Sequence, residues 1–297
     1  MTTVGFIGLG IMGGPMAANL VKARFDVVGY NRTPAKADRL VEQGGRAARS
    51  VAEAVRGADV VVTVLPDSPD VEAVARGDDG VFANAAPGLL YIDMSTIRPD
   101  TARALAADGL SAGIRVLDAP VSGGEQGAVD GTLSVMVGGE ATDVEAARPV
   151  LDAVGQTVVH VGPAGAGQTV KAANQLIAAG NIPLVAEAIV VLEAYGVNTD
   201  AAFRALGGGL AGSAVLDRKA PDMLARRYRP GFRCDLHHKD LGIMTSAARD
   251  AGVVIPLGSV VTQLMAALVA QGHGSLDNGA LLRLVEQLSG REPPSPA

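Results

Sequence analysis

Short apolar, β-branched runs alternate with amphipathic stretches through the first half of the chain, and then the alternation stops. The runs Thr3–Ile7, Asp26–Tyr30, Val60–Val64, Leu89–Ile92, Val116–Asp118, Leu133–Val137 and Thr157–His160 predict strands. Between them Pro15–Ala23, Ala35–Gln43, Val51–Arg56, Pro69–Ala75 and Pro99–Ala112 have helical spacing. Strand–helix alternation predicts a parallel, doubly wound sheet with helices on both faces. Past the glycine-rich stretch Val161–Gly167 no strand pattern stands out. A long helical pattern covers Gln168 to about Tyr195, with Pro183 as an expected kink. Shorter helices are expected at Asp200–Leu206, Ser213–Leu224, Lys239–Ala251, Pro256–Gln271 and Asn278–Leu288. The expected organisation is therefore an α/β domain at 1–163 and an all-α domain at 164–297, joined by a long helix.

The first strand runs into Gly8-Leu-Gly10-Ile-Met-Gly13. A G-x-G-x-x-G motif between a strand and a helix predicts a Rossmann-type dinucleotide site. Gly8 makes the tight turn, Gly10 lets backbone approach a pyrophosphate, and Gly13 lets the helix pack closely. Ile11 and Met12 complete the loop and join the candidate cofactor contacts. The phosphates would sit at the helix N-terminus, where the dipole favours negative charge.

Twenty-five cations against 31 carboxylates give a net charge of −6. With no long basic run, nucleic acid and anionic membrane are poor partners. No apolar run is expected to span a bilayer. Cys234 is the only cysteine, so no intrachain disulfide forms. These features and the absence of a leader pattern point to a cytoplasmic protein. The tail Arg291–Ala297 reads as disordered.

Strand two ends in Asn31-Arg32-Thr33, where a site for NAD usually carries Asp or Glu. A guanidinium pairs with a ribose phosphate that a carboxylate would repel. Arg32, with Asn31, Thr33 and Lys36, therefore suggests NADPH as the preferred cofactor, with NADH possible; the alternative is an Arg on a solvated loop.

Three segments are too polar or too glycine-rich for ordinary packing: Asp93–Thr96, Asp118–Gly124, and Lys171-Ala-Ala-Asn174-Gln175. Lys171, Asn174 and Gln175 share one helical face. A cation there either snorkels at a surface or faces a ligand. The Ser122-Gly123-Gly124 turn offers unobstructed N–H groups to an anion such as a carboxylate, or is simply a tight turn. Adjacent His237 and His238 lack metal-ligand spacing and read as solvated or helix-capping. The run Gly207–Gly212 lacks a preceding strand and reads as a helix connection.

With these segments in view, the whole chain resembles the β-hydroxyacid dehydrogenases, the group that includes 3-hydroxyisobutyrate dehydrogenase and 2-hydroxy-3-oxopropionate (tartronate semialdehyde) reductase. The resemblance rests on G-F-I-G-L-G-I-M-G-G-P-M-A-A-N-L from Gly5, D-A-P-V-S-G-G from Asp118, G-Q-T-V-K-A-A-N-Q from Gly167 and K-D-L from Lys239. The tartronate semialdehyde reductase branch looks closest, on the segments that start at Glu125, Gly208 and Pro230. The resemblance implies that Lys171 is catalytic and that Asn174 helps place the substrate and that lysine. It implies that Ser122, Gly123 and Gly124 hold the substrate carboxylate, and that Thr96 lies beside the nicotinamide. Leu65 and Pro66 match a cofactor-contacting turn. Lys239 matches a lysine that closes over cofactor and substrate, and Phe232 lines the same cleft. Gln175 joins the substrate-binding set through its place on the helix. Members of this branch often carry an acidic residue where Asn31-Arg32 stands, so the cofactor is read from this chain.

The implied activity is reduction of a small anionic semialdehyde, 2-hydroxy-3-oxopropionate to D-glycerate. Alternatives are 3-hydroxyisobutyrate dehydrogenation and succinic semialdehyde or glyoxylate reduction. A noncatalytic nucleotide-binding protein has no need for Lys171, Asn174 and the Ser122 turn together, and imine reductases usually replace the lysine. A homodimer or homotetramer is implied by the family, and the small residues of Ala172–Gly180 would permit close helix contact.

Overall fold

The computed structural model describes residues 1–291, which form two compact units, Met1–Lys171 and a second beginning at Ala172. All but the first residue of the tail expected to be disordered lies outside the described residues.

The first unit starts β1 (Thr3–Ile7), α1 (Gly13–Lys22), β2 (Asp26–Tyr30), α2 (Pro34–Glu42), β3 (Arg46–Ala47), α3 (Val51–Val55) and β4 (Val60–Thr63). It continues α4 (Ser68–Arg76), α5 (Val81–Asn84), β5 (Leu90–Asp93), α6 (Pro99–Ser111), β6 (Arg115–Asp118) and β7 (Val121–Ser122). It closes with α7 (Gly124–Asp130), β8 (Leu133–Gly138), α8 (Ala141–Asp152), β9 (Gly155–Gly162) and the start of α9 (Ala166–Ala194). Strand order is β3-β2-β1-β4-β5-β6-β8-β7, with β9 on β8. The sheet is parallel from β3 to β6, whereas β8 runs antiparallel to β6 and β7. The expected wholly parallel sheet is thus mixed at one end. The fold is the doubly wound type in which ligands bind beyond the carboxyl ends of the parallel strands.

Burial explains the pattern. Strand residues point alternately to two apolar layers, as expected for a sheet covered on both faces. Phe6, Val60, Val62 and Ile92 join Met16, Leu20 and Leu40 on one side. Ile7, Val61 and Tyr91 join Val51, Val71 and Leu105 on the other. Three helices, α5, α7 and α8, were not expected. In α8 the buried Val144, Ala147, Val150 and Leu151 do keep helical spacing around Pro149.

The second unit contains the rest of α9, then α10 (Thr199–Gly207), α11 (Ala214–Leu224), α12 (Cys234–Asp250), α13 (Pro256–Leu268) and α14 (Leu281–Leu288). Among the described residues it holds no strand, only an isolated bridge between Arg233 and Asp277. Its core gathers Ala179, Ile182, Leu241, Met265 and Leu284, beside a second cluster around Ile189, Phe203, Met223 and Leu282.

Helix α9 corrects one expectation. Its 29 residues are long and apolar enough, by length and composition, to cross a bilayer. Its burial follows hydropathy only in part: Ile182, Ala186 and Ile189 are buried, but so are Gln168, Lys171 and Gln175, while Ile177, Leu184 and Val191 are 68%, 65% and 56% exposed. Of the small residues in Ala172–Gly180, Ala172 and Ala179 are buried within this chain, Ala178 and Gly180 are half-buried and Ala173 is exposed.

Candidate functional site

The glycine loop forms where β1 ends. Gly8 has φ +100°, a conformation that disfavours a side chain, and a Cβ there would strike the Val64 carbonyl. A Cβ on Gly13 would strike the Gly8 carbonyl and come within 3.1 Å of the Phe6 ring. Gly10 differs: a Cβ there meets nothing within 4 Å. Packing explains the outer two glycines, and open space is kept above the middle one. Helix α1 then starts with no side-chain cap and no acidic residue in its first turn. Loop and helix N-terminus together fit an anionic pyrophosphate.

Asn31 holds this loop in place. Its Oδ1 accepts the Leu9 N–H at 3.0 Å and its Nδ2 donates to the Thr33 carbonyl at 3.2 Å. Its side chain therefore has a definite role within the protein itself. The Arg32 side chain is 79% exposed and lies 3.6 Å from the Asp70 carboxylate. Thr33 precedes α2 without a capping bond. Ile11 is exposed, and Met12 is half-buried at the start of α1. A cavity of about 540 Å³ opens beside Gly10 and Ile11, bordered by Lys22, Lys36 and Arg39.

Beyond β4, β5 and β6 lies a continuous buried polar network. Asp93 Oδ1 accepts from the Thr63 hydroxyl at 2.7 Å and from the Ser95 hydroxyl at 2.6 Å. The Ser95 Oγ accepts the Leu65 N–H at 2.9 Å, which ties the Leu65–Pro66 turn to the Asp93–Thr96 segment. Gln168 donates to the Ser95 carbonyl at 2.8 Å and accepts the Ile97 N–H at 3.0 Å. Asp118, at the end of β6, accepts the N–H groups of Gly165 at 2.7 Å and Gln168 at 2.9 Å. These amides open α9 and reach a carboxylate placed where the helix dipole favours it. Burial nevertheless pushes the Asp118 carboxyl up to about 6, against the pull of those amides, with Asp93 adding to the rise.

This network seats the start of the lysine-bearing helix in the first unit. Lys171, one turn beyond Gln168, is 6% exposed. A buried lysine is costly unless its charge has a function or a partner, which disfavours the surface-snorkelling reading. Ser122 is half-buried on β7, which pairs with β8, and Gly123 follows with φ +141°. Thr96 is half-buried and follows Ser95 directly.

Asn174 and Gln175 belong to the second unit. Asn174 donates to Gln175 Oε1 at 2.9 Å, and Gln175 donates to Asp240 Oδ2 at 2.5 Å. Lys239 pairs with Asp240 Oδ1 at 2.7 Å. The buried Asp240 thereby joins three sequence-predicted residues into one chain, although it was expected only as part of a K-D-L motif. Phe232 sits in a pinned loop: Asp277 accepts from Gly231 N–H at 2.9 Å and Phe232 N–H at 3.1 Å, and pairs with Lys219. His237 is not solvated as expected. It is buried, 2.9 Å from Asn278 Nδ2, with its ring 5.1 Å from that of Phe232. Burial raises the nearby Cys234 thiol to about 12, so it is no nucleophile.

Residues 3–162 match the model described as the NAD binding domain of 6-phosphogluconate dehydrogenase. Residues 165–285 match that of the NAD-binding segment of NADP-dependent 3-hydroxyisobutyrate dehydrogenase. The chain belongs to the 3-hydroxyisobutyrate dehydrogenase-like family. A family relative, the NAD-dependent L-serine dehydrogenase of Pseudomonas aeruginosa, is 38% identical over 98% of this chain and all of its own. The 2-hydroxy-3-oxopropionate reductase of Escherichia coli is 36% identical over 96% of this chain and 98% of its own. Among solved structures, the Mycobacterium tuberculosis 3-hydroxyisobutyrate dehydrogenase with L-serine superposes with a TM-score of 0.86. It is 38% identical and covers 96% of this chain and 99% of its own. Family membership makes this chain a nicotinamide-dependent dehydrogenase of the hydroxyacid type.

Sequence reasoning passed over Gln168, Asp93, Asp118 and Asp240 as individual residues. Asp93 and Asp118 stood in segments singled out as too polar for packing. Gln168 offered its own signal, an amide three residues before Lys171 on an otherwise small or apolar helix.

Proposed function

We propose that this protein reduces a small semialdehyde acid with a nicotinamide cofactor, with 2-hydroxy-3-oxopropionate going to D-glycerate as the leading reaction. The single observation that carries this reading is the burial of Lys171 in the same unit as the glycine loop and the Ser122 turn. Residues 1–163 would hold the cofactor, and 164–297 would serve substrate and assembly.

Gly8, Gly10, Ile11, Met12 and Gly13 would receive the pyrophosphate, and Leu65, Pro66 and Thr96 the nicotinamide end. When bound, the reduced nicotinamide supplies a hydride to the aldehyde carbon. Ser122 and the Gly123 and Gly124 amides would hold the substrate carboxylate, which orients the carbonyl. Lys171 would stabilise the charge that grows on the carbonyl oxygen and then donate its proton there. Asn174 and Gln175, anchored through Asp240, would fix the polar face of the helix. Phe232 and Lys239 are assigned to the substrate on family resemblance. In the oxidative direction Lys171 must first be neutral, so oxidation would favour alkaline pH.

Arg32 supports NADPH as the preferred cofactor, because an exposed guanidinium suits a ribose phosphate and no acidic residue directly follows β2 in the sequence. The exposed Ile177, Leu184 and Val191, seven residues apart, support a homodimer or homotetramer. The lack of a second cysteine and the use of a nicotinamide cofactor support a cytoplasmic location.

A second reading, oxidation of L-serine or 3-hydroxyisobutyrate, is favoured by the similarity to the serine dehydrogenase and to the structure with L-serine. A panel of 2-hydroxy-3-oxopropionate, succinic semialdehyde, glyoxylate, 3-hydroxyisobutyrate and L-serine, each with both cofactors, tests the assignment. The leading reading requires the highest kcat/KM for 2-hydroxy-3-oxopropionate. Preference for L-serine would replace it.

A further inference from the structure

Gln168 is 1% exposed and uses three groups on three different partners. Its backbone N–H reaches Asp118 at the end of β6. Its side-chain amide donates to the Ser95 carbonyl and accepts from the Ile97 N–H, on either side of Thr96. Lys171 follows one turn later on the same helical face. Hence the lysine and the segment around Thr96 are joined through one amide side chain. A primary amide can donate to a carbonyl and accept from an N–H two residues away at once.

We propose that Gln168 is a positioning residue that sets the distance between Lys171 and the Ser95–Ile97 segment, and so the alignment of proton donor and hydride donor. This rests on the reading of Lys171 as the acid. Both ends of the amide are taken by backbone partners, so it acts through the two elements it joins. A purely structural amide would affect stability and leave the chemical step alone. A positioning amide must alter the chemical step, because small misplacements of reacting groups cost up to about a hundredfold in rate.

The experiment uses full-length enzyme, 2-hydroxy-3-oxopropionate, and NADPH carrying deuterium at the transferable position. Gln168→Met keeps the length but removes both side-chain hydrogen bonds. It should lower kcat about tenfold or more, change KM for NADPH less than threefold, and raise the deuterium isotope effect on kcat. Gln168→Glu supplies a second arm should the first variant fail to fold. A protonated carboxylic acid can donate to Ser95 and accept from Ile97, whereas a carboxylate repels the Ser95 carbonyl. The kcat of Gln168→Glu should therefore rise toward wild type as pH falls, through an ionisation absent from the wild-type profile.

An unchanged kcat and isotope effect in Gln168→Met would overturn the proposal. So would a Gln168→Glu profile parallel to wild type. Lys171→Ala separates this result from the parent reading. If Lys171→Ala keeps near-normal turnover, the assignment of the acid has failed. If it loses turnover while Gln168→Met does not, only the positioning role has failed.

Discussion

The Asp118 carboxylate accepts the backbone N–H of Gly165 at 2.7 Å, so the end of β6 and the start of the lysine-bearing helix are one joint. Because burial raises this carboxyl to about 6, the folded protein holds its proton more tightly than the unfolded chain does. Its contribution to stability is greatest below the unfolded value near 4 and is lost as pH rises to about 6. The loss amounts to about 3 kcal/mol. Chemical denaturation of wild type and Asp118→Asn between pH 4 and 8 checks this. The stability difference should change across pH 4–6 and stay constant above pH 7. A difference that is flat throughout contradicts the assignment.

The middle and last glycines of the loop should fail in different ways. Gly13→Ala forces a methyl onto the Gly8 carbonyl and should lower the melting temperature, by an overpacking cost of about 1–3 kcal/mol or more. Gly10→Ala meets nothing in the protein and should leave the melting temperature of the cofactor-free enzyme nearly unchanged. It should still weaken NADPH binding at least tenfold in a fluorescence titration. Equal melting losses in both variants would refute the distinction.

Lys171→Ala should reduce kcat by about 10²–10⁴, the usual range of an acid–base contribution, and by more if charge stabilisation is lost as well. NADPH affinity should move less than threefold. Steady-state kinetics with a separate binding titration measures both.

Arg32→Asp should reverse cofactor preference. A carboxylate at the end of β2 repels a ribose phosphate and accepts from ribose hydroxyls. The ratio of kcat/KM for NADPH to that for NADH should fall by two orders of magnitude or so, since charge-assisted pairs are the strong hydrogen bonds. An unchanged ratio would leave Arg32 as a solvated loop residue paired with Asp70.

Leu184→Asp places a charge in the middle of the exposed stripe on α9 and should shift the protein toward monomer. Light scattering coupled to size exclusion reads this. A wild-type protein that is already monomeric removes the basis for proposing assembly.

How much was legible depended on the range of the determining interaction. β1 and β2 were read to the residue, because each is a self-contained apolar run closed by a glycine or an asparagine. The two-residue β3 and β7 carry too little sequence to show a period, and they exist because a neighbouring strand offers a ladder. Helix α9 was expected from Gln168, yet it begins at Ala166: the glycines before it read as a break, although Asp118 caps the turn they form. The glycine loop and Lys171 could be picked out from local spacing. Asp93, Asp118, Gln168 and Asp240 could not be assigned, because each acquires meaning only from partners brought close by the fold, such as Gln175 beside Asp240. The burial of the polar Gln168, Lys171 and Gln175 on α9 has the same origin, since hydropathy does not reveal which face of the helix they will occupy.

The capping of Asp118 by residues 165 and 168 also bears on how the molecule can be cut. A fragment ended at the Gly162–Pro163 turn would look like a complete nucleotide-binding sheet, yet it would leave one buried carboxylate with neither amide donor. Unpaired buried charges are among the costlier defects a fold can carry. A fragment carried through Lys171, where the first compact unit ends, would keep both donors and take the lysine with it.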